Sequence, residues 1–152
     1  MKVRNVMSAD PCTCTPDTDL AAVAKIMWDH DCGIVPVVNP VGAVVGLITD
    51  RDICMAVATK HRTAAHIAAR EAMSENVHAC FPEDDVHTAI ATMKKDQIRR
   101  LPVIDADGHL RGIVSMNDLV LHASSGKGAI SNLDIVSTLK TICEHRRAAQ
   151  SA

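Results

Sequence analysis

Gly46-Leu47-Ile48-Thr49-Asp50-Arg51-Asp52 is matched, 66 positions further on, by Gly112-Ile113-Val114-Ser115-Met116-Asn117-Asp118. Each copy reads as a glycine, two apolar residues closing a buried strand, a hydroxyl residue, two variable positions and an aspartate. The same offset aligns the chain without a gap. Met7 falls on Met73, Ser8 on Ser74, Cys14 on Cys80, Asp19 on Asp85, Met27 on Met93, Pro36 on Pro102 and Gly42 on Gly108. A register kept this long is an internal duplication, and function has to explain why two copies are wanted.

Hydrophobic periodicity gives the elements on either side of the signature. Residues 34–38 and 43–48 are apolar runs separated by Asn39-Pro40-Val41-Gly42, which predicts a strand, a turn and a strand. The charge-free stretch 33–49 is not a membrane span, because Pro36, Pro40, Gly42 and Gly46 would break a lipid-exposed helix. Upstream, Leu20, Val23 and Met27 recur at helical spacing over residues 20–30. Asp17 and Asp19 stand where the helix dipole favours them, and Gly33 is expected to end the helix. Thr49 opens a second helix, through Ile53 to residue 59.

The second copy repeats the order: residues 77–80 extended, a helix over 84–96, strands over 101–104 and 110–114 around Asp105-Ala106-Asp107-Gly108, and a helix from Ser115. Each unit is β-α-β-β-α, with the first strand expected over 3–7 and Ser8-Ala9-Asp10-Pro11 as a turn. Residues 1–60 make the first unit, 61–71 a helical or loop connector, and 72–122 the second unit. Residues 123–152 hold the linker Ser124-Ser125-Gly126-Lys127-Gly128 and a last helix capped by Ser131 or Asn132. That helix has Ile135, Leu139 and Ile142 on one face and Arg146-Arg147 at its basic end; it is expected to pack on the body or on a second subunit. The fold class is α/β, an α+β sandwich-like pair of units about a pseudo-twofold.

A chain of 152 residues makes one domain or two small halves sharing a core. One Phe, one Trp and no Tyr leave that core to Val, Ile, Leu, Met and Ala, and Met27, Met55, Met93 and Met116 fall at core-like places. A net charge of −2 and the scarcity of stacking aromatics argue against a nucleic-acid partner. Residues 1–16 are polar, so no secretory signal is read, and a cytoplasmic protein with its six cysteines reduced is expected.

The repeated strand–turn–strand–helix, with Pro36-Val37 and Pro102-Val103 before an amide or acid turn and then Gly-x-x-[Ser/Thr]-x-x-Asp, resembles the CBS domain, named for cystathionine β-synthase. Two in tandem resemble a Bateman module, and the resemblance covers residues 3–122.

Taken on its own, Thr49 with Asp52 three positions on approximates a capping box. The same helix start offers free N–H groups and partial positive charge to a phosphate. A carboxylate beside it can take two hydrogen bonds from a ribose diol. The two readings coexist. The resemblance implies a regulatory module, not an enzyme, holding an adenosine ligand in the clefts between the repeats: AMP, ADP, ATP with Mg²⁺, or S-adenosylmethionine. It places Asp52 and Asp118 on ribose hydroxyls, Thr49 and Ser115 beside ribose and phosphate, and Cys32, Gly33, Ile34 and Ile98 along the adenine slot. Aliphatic side chains must then sandwich the base.

Arg99 and Arg100 stand where the first copy has Gly33 and Ile34, so the Asp118 cleft is expected to be the more cationic. Arg51, whose counterpart is Asn117, works the other way, and two unequal sites follow. The resemblance also implies a homodimer formed through helices and, with no catalytic domain attached, an effector protein as the target of any output.

Two rivals stand beside this reading. One is a ligand-independent dimerisation or scaffold protein in which Ser/Thr and Asp only cap helices. The other is a metal or redox protein built on Cys12 and Cys14 with His61, His66, His78 or His87, but no second Cys pair or His-x-x-x-His follows at zinc spacing. The Gly-Lys of the linker lacks the glycine and leading strand of a P-loop, position 121 being Leu.

Overall fold

The computed structural model describes residues 1–126 and 128–144, so Lys127 of the linker and Arg146-Arg147 of the tail lie outside the described residues. Its elements run β1 (Ser8–Ala9), α1 (Leu20–Asp29), β2 (Ile34–Val38), β3 (Val44–Thr49), α2 (Asp50–Lys60), α3 (Val86–Asp96), β4 (Arg100–Ile104), β5 (Leu110–Ser115), α4 (Met116–Leu121) and α5 (Asn132–Cys143). β2 and β3 form an antiparallel hairpin, as do β4 and β5, with Ile34 opposite Thr49 and Arg100 opposite Ser115. Both hairpins turn by the same device. The Asn39 side chain accepts from the N–H groups of Val41 and Ala43, and Asp105 accepts from Asp107 and His109. Gly42 (φ 84°) and Gly108 (φ 81°) then take the left-handed conformation that closes each turn.

The lead-in segments depart from expectation. Val3–Asn5 is a 3₁₀ turn rather than a strand, and Ser8–Ala9 is a strand rather than a turn. The reason is long-range: β1 pairs with β5 of the other copy, Ser8 opposite Ile113 and Ala9 opposite Gly112. The equivalent residue of the second copy, Ser74, pairs back onto Leu47 of β3 through two backbone hydrogen bonds of 3.0 and 2.9 Å. Each half is therefore one copy's helices and hairpin plus the other copy's lead-in. The connector carries two 3₁₀ turns, Ala64–His66 and Ala69–Glu71. Its Ile67 and Ala69 pack with Leu20, Val23, Val35, Val37 and Ile48 in the first core. Val3 and Val6 pack with Val86, Met93, Leu101, Val103 and Leu119 in the second.

This crossing explains the signature glycines. A Cβ on Gly112 would sit 2.8 Å from the backbone oxygen of Ser8, and one on Gly46 would sit 2.6 Å from Met73 Sδ.

α1 starts where expected, Asp19 accepting from Ala22 N–H at 2.9 Å, and buries Leu20, Val23 and Met27. It ends at Asp29, and Asp31 (φ 47°), not Gly33, makes the left-handed exit. Aspartate tolerates that conformation better than most residues. Gln97 (φ 51°) does the same after α3. Gly33 is instead a close-approach position, where a Cβ would meet Asp50 Oδ2 at 3.2 Å and Arg100 Nη2 at 3.4 Å.

α5 packs on the body. Its Ile135 and Ile142 join the second core, Leu139 lies against it, and Lys94 Nζ of α3 donates to Ser137 Oγ at 2.8 Å. Thr138 is wholly buried and its hydroxyl donates to the Asp134 carbonyl at 2.6 Å, so the one buried polar residue among the described residues is satisfied. The matching face of the first half exposes Trp28 (85%), the counterpart of the Lys94 that meets α5, while Met55, like its counterpart Leu121, is exposed away from that face (51%). Met55 is thus a surface residue, against the core position expected of it; Met27, Met93 and Met116 are buried. Among the described residues no helix is long and apolar enough to cross a membrane.

Candidate functional site

The repeated hydroxyl–aspartate pair forms a complete capping box in each copy. At α2 the Thr49 backbone N–H and hydroxyl donate to Asp52 Oδ2 at 2.8 and 2.7 Å, and Asp52 N–H donates back to Thr49 Oγ1 at 3.2 Å. At α4 the corresponding Ser115–Asp118 distances are 2.7, 2.6 and 3.3 Å. A third box, outside the duplication, opens α5: Ser131 and Asp134, at 3.0, 2.6 and 3.1 Å. There the bonds from Ser131 hold the Asp134 carboxyl below its ordinary value. Box geometry alone therefore marks a helix start and nothing more.

The surroundings separate the three. Thr49 and Asp52 open onto a cleft of about 1000 Å³ lined also by Ile34, Leu47, Arg51, Ser74, Asn76, His78, Gln97, Ile98, Arg99 and Arg100. Both side-chain bonds of Asp52 fall on Oδ2, and among the described residues Oδ1 takes none. In Asp118 the second oxygen, Oδ1, accepts from Ser8 Oγ at 3.4 Å. Of the residues expected to bind, Ile34, Thr49, Arg51, Asp52, Ile98, Arg99 and Arg100 thus meet in one cleft. Cys32, Gly33, Ser115, Asn117 and Asp118 do not line it. Cys32 borders a smaller groove between α1 and α2.

The placement of the arginines corrects one expectation. Arg99 and Arg100 line the Asp52 cleft, together with Arg51, so that cleft and not the Asp118 side gathers the cations. Arg100 is paired in register with Ser115, but the β2 and β4 starts of the two halves abut. Its guanidinium accordingly reaches across to Gly33. Among the described residues none of the three arginines is in an ion pair, though Arg99 Nη2 lies 4.0 Å from Cys143 Sγ.

Several lining residues carry no signal of their own in the sequence. Ser74 was visible only as the partner of Ser8 in the repeat. His78 Nδ1 lies 2.9 Å from Asp96 Oδ2, with Asn76 Nδ2 3.3 Å from its Nε2. Ile142, Cys143 and Glu144 come from the end of α5 and complete the lining. Cys14, a candidate metal ligand by sequence, is buried, and burial pushes its thiol up to about 11. Among the described residues the cluster of three potential metal ligands is Asp105, Asp107 and His109, without Cys12 or Cys14, and Arg111 already bonds Asp105 Oδ2 at 2.7 Å.

Comparison with known proteins agrees with this architecture. The family described as the CBS domain matches residues 3–59 and 69–125. The CBS domain-containing protein YhcV of Bacillus subtilis is 32% identical over 135 residues, which is 89% of this chain and 94% of that one. Protein MK0525 of Methanopyrus kandleri is 32% identical over 120 residues; the match takes in 79% of this chain and 61% of its own length. Among solved structures, the CBS domain pair of protein MJ0100 in complex with 5′-methylthioadenosine and S-adenosyl-L-methionine is 29% identical. It superposes with a TM-score of 0.72 over 80% of this chain and 94% of that one.

Proposed function

The chain belongs to the CBS domain family, and from that premise we propose that it is a regulatory module that senses an adenosine nucleotide rather than an enzyme. The observation that carries the reading is the Asp52 cleft, where, among the described residues, a carboxylate whose Oδ1 takes no bond stands beside three arginines that are in no ion pair. Asp52 takes the ribose hydroxyls with Oδ1 while Oδ2 keeps capping α2. Thr49 lies beside ribose and phosphate. Ile34 and Ile98 enclose the base, and Arg51, Arg99 and Arg100 hold phosphate by paired donors. The adenosine compounds on the MJ0100 domain pair support the base and ribose end of this assignment. A second, weaker site uses Ser115, Asn117 and Asp118 with Cys32 and Gly33. It has Asn117 where Arg51 stands, and Asp118 Oδ1 is already engaged by Ser8. ATP would bring Mg²⁺ with it; AMP, ADP and S-adenosylmethionine need none.

Titration calorimetry of the whole chain with AMP, ADP, ATP with and without Mg²⁺, and S-adenosylmethionine tests the reading. Saturable binding of an adenosine ligand that weakens in Asp52→Ala supports it. No binding at millimolar concentration, with the fold intact, refutes it and leaves a scaffold. Ligand acts on the cell's machinery by binding one arrangement of the halves better than another, which an effector protein then reads.

The α1/α2 face is where we place a second copy of the chain. Ala24, Met27, Cys32 and Ile53 make a groove of about 310 Å³ next to the projecting Trp28. The second-copy equivalents of Ala24, Met27 and Ile53, at 90, 93 and 119, are buried in the half that carries α5. A knob and a groove on one face suit a twofold interface, in which each Trp28 enters the partner's groove. Lys25 and Asp29, paired within α1, flank Trp28 with opposite charge, so an antiparallel α1 crossing also matches charge. Sedimentation should show a dimer that Trp28→Lys, the residue at the equivalent position 94, converts to monomer. A dimer unaffected by that change excludes this face.

A further inference from the structure

We propose that His78 is a fourth phosphate-binding residue of the Asp52 cleft, one that grips only when protonated and so couples nucleotide binding to proton uptake. The inference rests on the nucleotide reading above and deepens it to the regulation of that site. The segment 74–80 carries the ring into the cleft. Ser74 is bridged to Leu47 of β3 and Cys80 to Val103 of β4, so the segment passes from one half to the other. Alternate residues, Ser74, Asn76 and His78, line the cleft while Glu75, Val77 and Ala79 do not, the pattern of a roughly extended chain. Among the described lining residues His78 is the one imidazole. The counterpart of His78 in the first copy is Cys12 and that of Asp96 is His30, so the duplication supplies no matching imidazole–carboxylate pair to the Asp118 side.

The ring is held at one nitrogen and exchangeable at the other. Asp96 Oδ2 lies 2.9 Å from His78 Nδ1. An ionised carboxylate only accepts, so Nδ1 carries the proton and the ring's orientation is fixed. Asp96 closes α3 immediately before Gln97, Ile98, Arg99 and Arg100, all of which line the cleft, so this anchor sits at the root of the arginine segment. In the neutral ring Nε2 is an acceptor, and it takes the Asn76 amide at 3.3 Å, a long bond from an exposed side chain. A neutral Nε2 presents a lone pair to a phosphate oxygen and repels it. A protonated Nε2 is a donor, and a phosphate oxygen is a stronger acceptor for it than a side-chain amide, so the ligand displaces Asn76. Besides Asp96, the charged and titratable groups facing the ring across the cleft are, among the described residues, Arg51 and Asp52 of α2, Arg99 and Arg100 before β4, and Cys143 and Glu144 at the end of α5. Arginines and carboxylates as classes keep their charge between pH 6 and 8. The imidazole then carries the change, and Cys143 is the thiol to control for.

The test is calorimetric titration of the full chain with AMP in buffers of different ionisation enthalpy, which counts the protons taken up per ligand bound. Glutamine at position 78 keeps a donor near the place of Nε2 but does not titrate. At pH 7 wild type should take up about a third of a proton more per AMP than His78→Gln, and Cys143→Ser should take up as much as wild type. The affinity ratio of wild type to His78→Gln should rise from near one at pH 8 to about three- to fivefold at pH 6, the scale of one partly exposed charge contact. The nucleotide's own phosphate gains a proton near pH 6, equally in both proteins, so the ratio isolates the ring. Adenosine, which lacks the phosphate, should bind both proteins alike at either pH. Proton uptake that persists in His78→Gln or vanishes in Cys143→Ser, a ratio flat with pH, or the same change with adenosine overturns the role of His78 and leaves the nucleotide reading standing. Binding of neither AMP nor adenosine overturns both.

Discussion

Three capping boxes of one geometry, only one of them in the cleft, allow the structural and the ligand-binding duties of a carboxylate to be separated. The perturbation is Asp→Asn at positions 52, 118 and 134 in turn. Each change keeps the side chain's shape and removes the charge that faces the helix N-terminus. At Asp52 the loss of that charge costs about 0.3–1 kcal/mol, partly offset if the amide oxygen still accepts from Thr49. A chain of this size loses roughly 2–4 °C in Tm for each kcal/mol, so all three variants should unfold within a few degrees of wild type and of one another. Binding should not follow that pattern. Hydrogen bonds to a charged group contribute about 1.5–3 kcal/mol each, so a ribose held by Asp52 Oδ1 should bind at least tenfold more weakly to Asp52→Asn. Asp134→Asn should bind as wild type, and Asp118→Asn should lose at most the second, weaker class of site. Thermal unfolding followed by circular dichroism and calorimetric titration with AMP give both quantities on the same samples. If Asp134→Asn loses as much affinity as Asp52→Asn, the effect is global; if Asp52→Asn keeps wild-type affinity and stoichiometry, Asp52 is a cap and nothing else. Either result refutes the reasoning.

Two further expectations follow from packing. Gly112→Ala should destabilise by about 1–3 kcal/mol and more than Gly46→Ala, because the added Cβ meets the Ser8 backbone oxygen at 2.8 Å. At Gly46 the nearest atom is the mobile end of Met73 and the backbone oxygen of Ser74 stands off at 3.2 Å; equal Tm values for the two variants would count against this account. In the native, ligand-free protein at pH 8, mass-spectrometric mapping of thiol labelling should find Cys54 and Cys143 modified first. Cys14 and Cys80 should be spared, since burial removes access and pushes their thiols up to about 11 and about 12, leaving almost no thiolate. Labelling of Cys80 at the rate of Cys54 would mean that the second core opens freely.

What the sequence made legible is what the duplication states twice. The two hairpins, the four repeat helices and both helix starts at Thr49 and Ser115 follow from periodicity confirmed by the second copy, and all are present. What stayed hidden depends on chain segments distant in sequence. A two-residue strand such as Ser8–Ala9 has no periodicity to read, and its partner Ile113 lies in the other copy. Asp31 could not be chosen over Gly33 as the exit of α1, because glycine is the commoner residue there and the close approach of Arg100 and Asp50 that occupies Gly33 is a tertiary fact. The arginines were assigned to the wrong cleft for a similar reason. Arithmetic on a repeat assigns a residue to its own copy, whereas a long side chain at an abutting strand end serves the neighbour.

The same abutment explains why two copies are wanted and why they have diverged. The cleft takes Thr49, Arg51 and Asp52 from one copy and Ile98, Arg99 and Arg100 from the other, so neither copy makes it alone. Once both are present, only one cleft needs to keep its charges. The second copy has Asn117 where the first has Arg51, and the first has Gly33 and Ile34 where the second has its arginine pair. Both changes deplete the Asp118 side of cations and concentrate them on the Asp52 side. α5 extends the asymmetry, covering the helices of the second half, closing the cationic cleft with its own last turn, and leaving the helical face around Trp28 open. The proposed ligand and the proposed partner copy thereby use different surfaces. Arg100 reaches from the cleft to Gly33, and Gly33's neighbour Cys32 borders the Trp28 groove together with Asp50. A charge-reversing Arg100→Glu should therefore weaken nucleotide binding and also change the dimer constant, whereas Arg51→Glu, which does not reach Gly33, should change binding alone. Identical dimer constants in wild type and Arg100→Glu would show that the two surfaces are not coupled through this side chain.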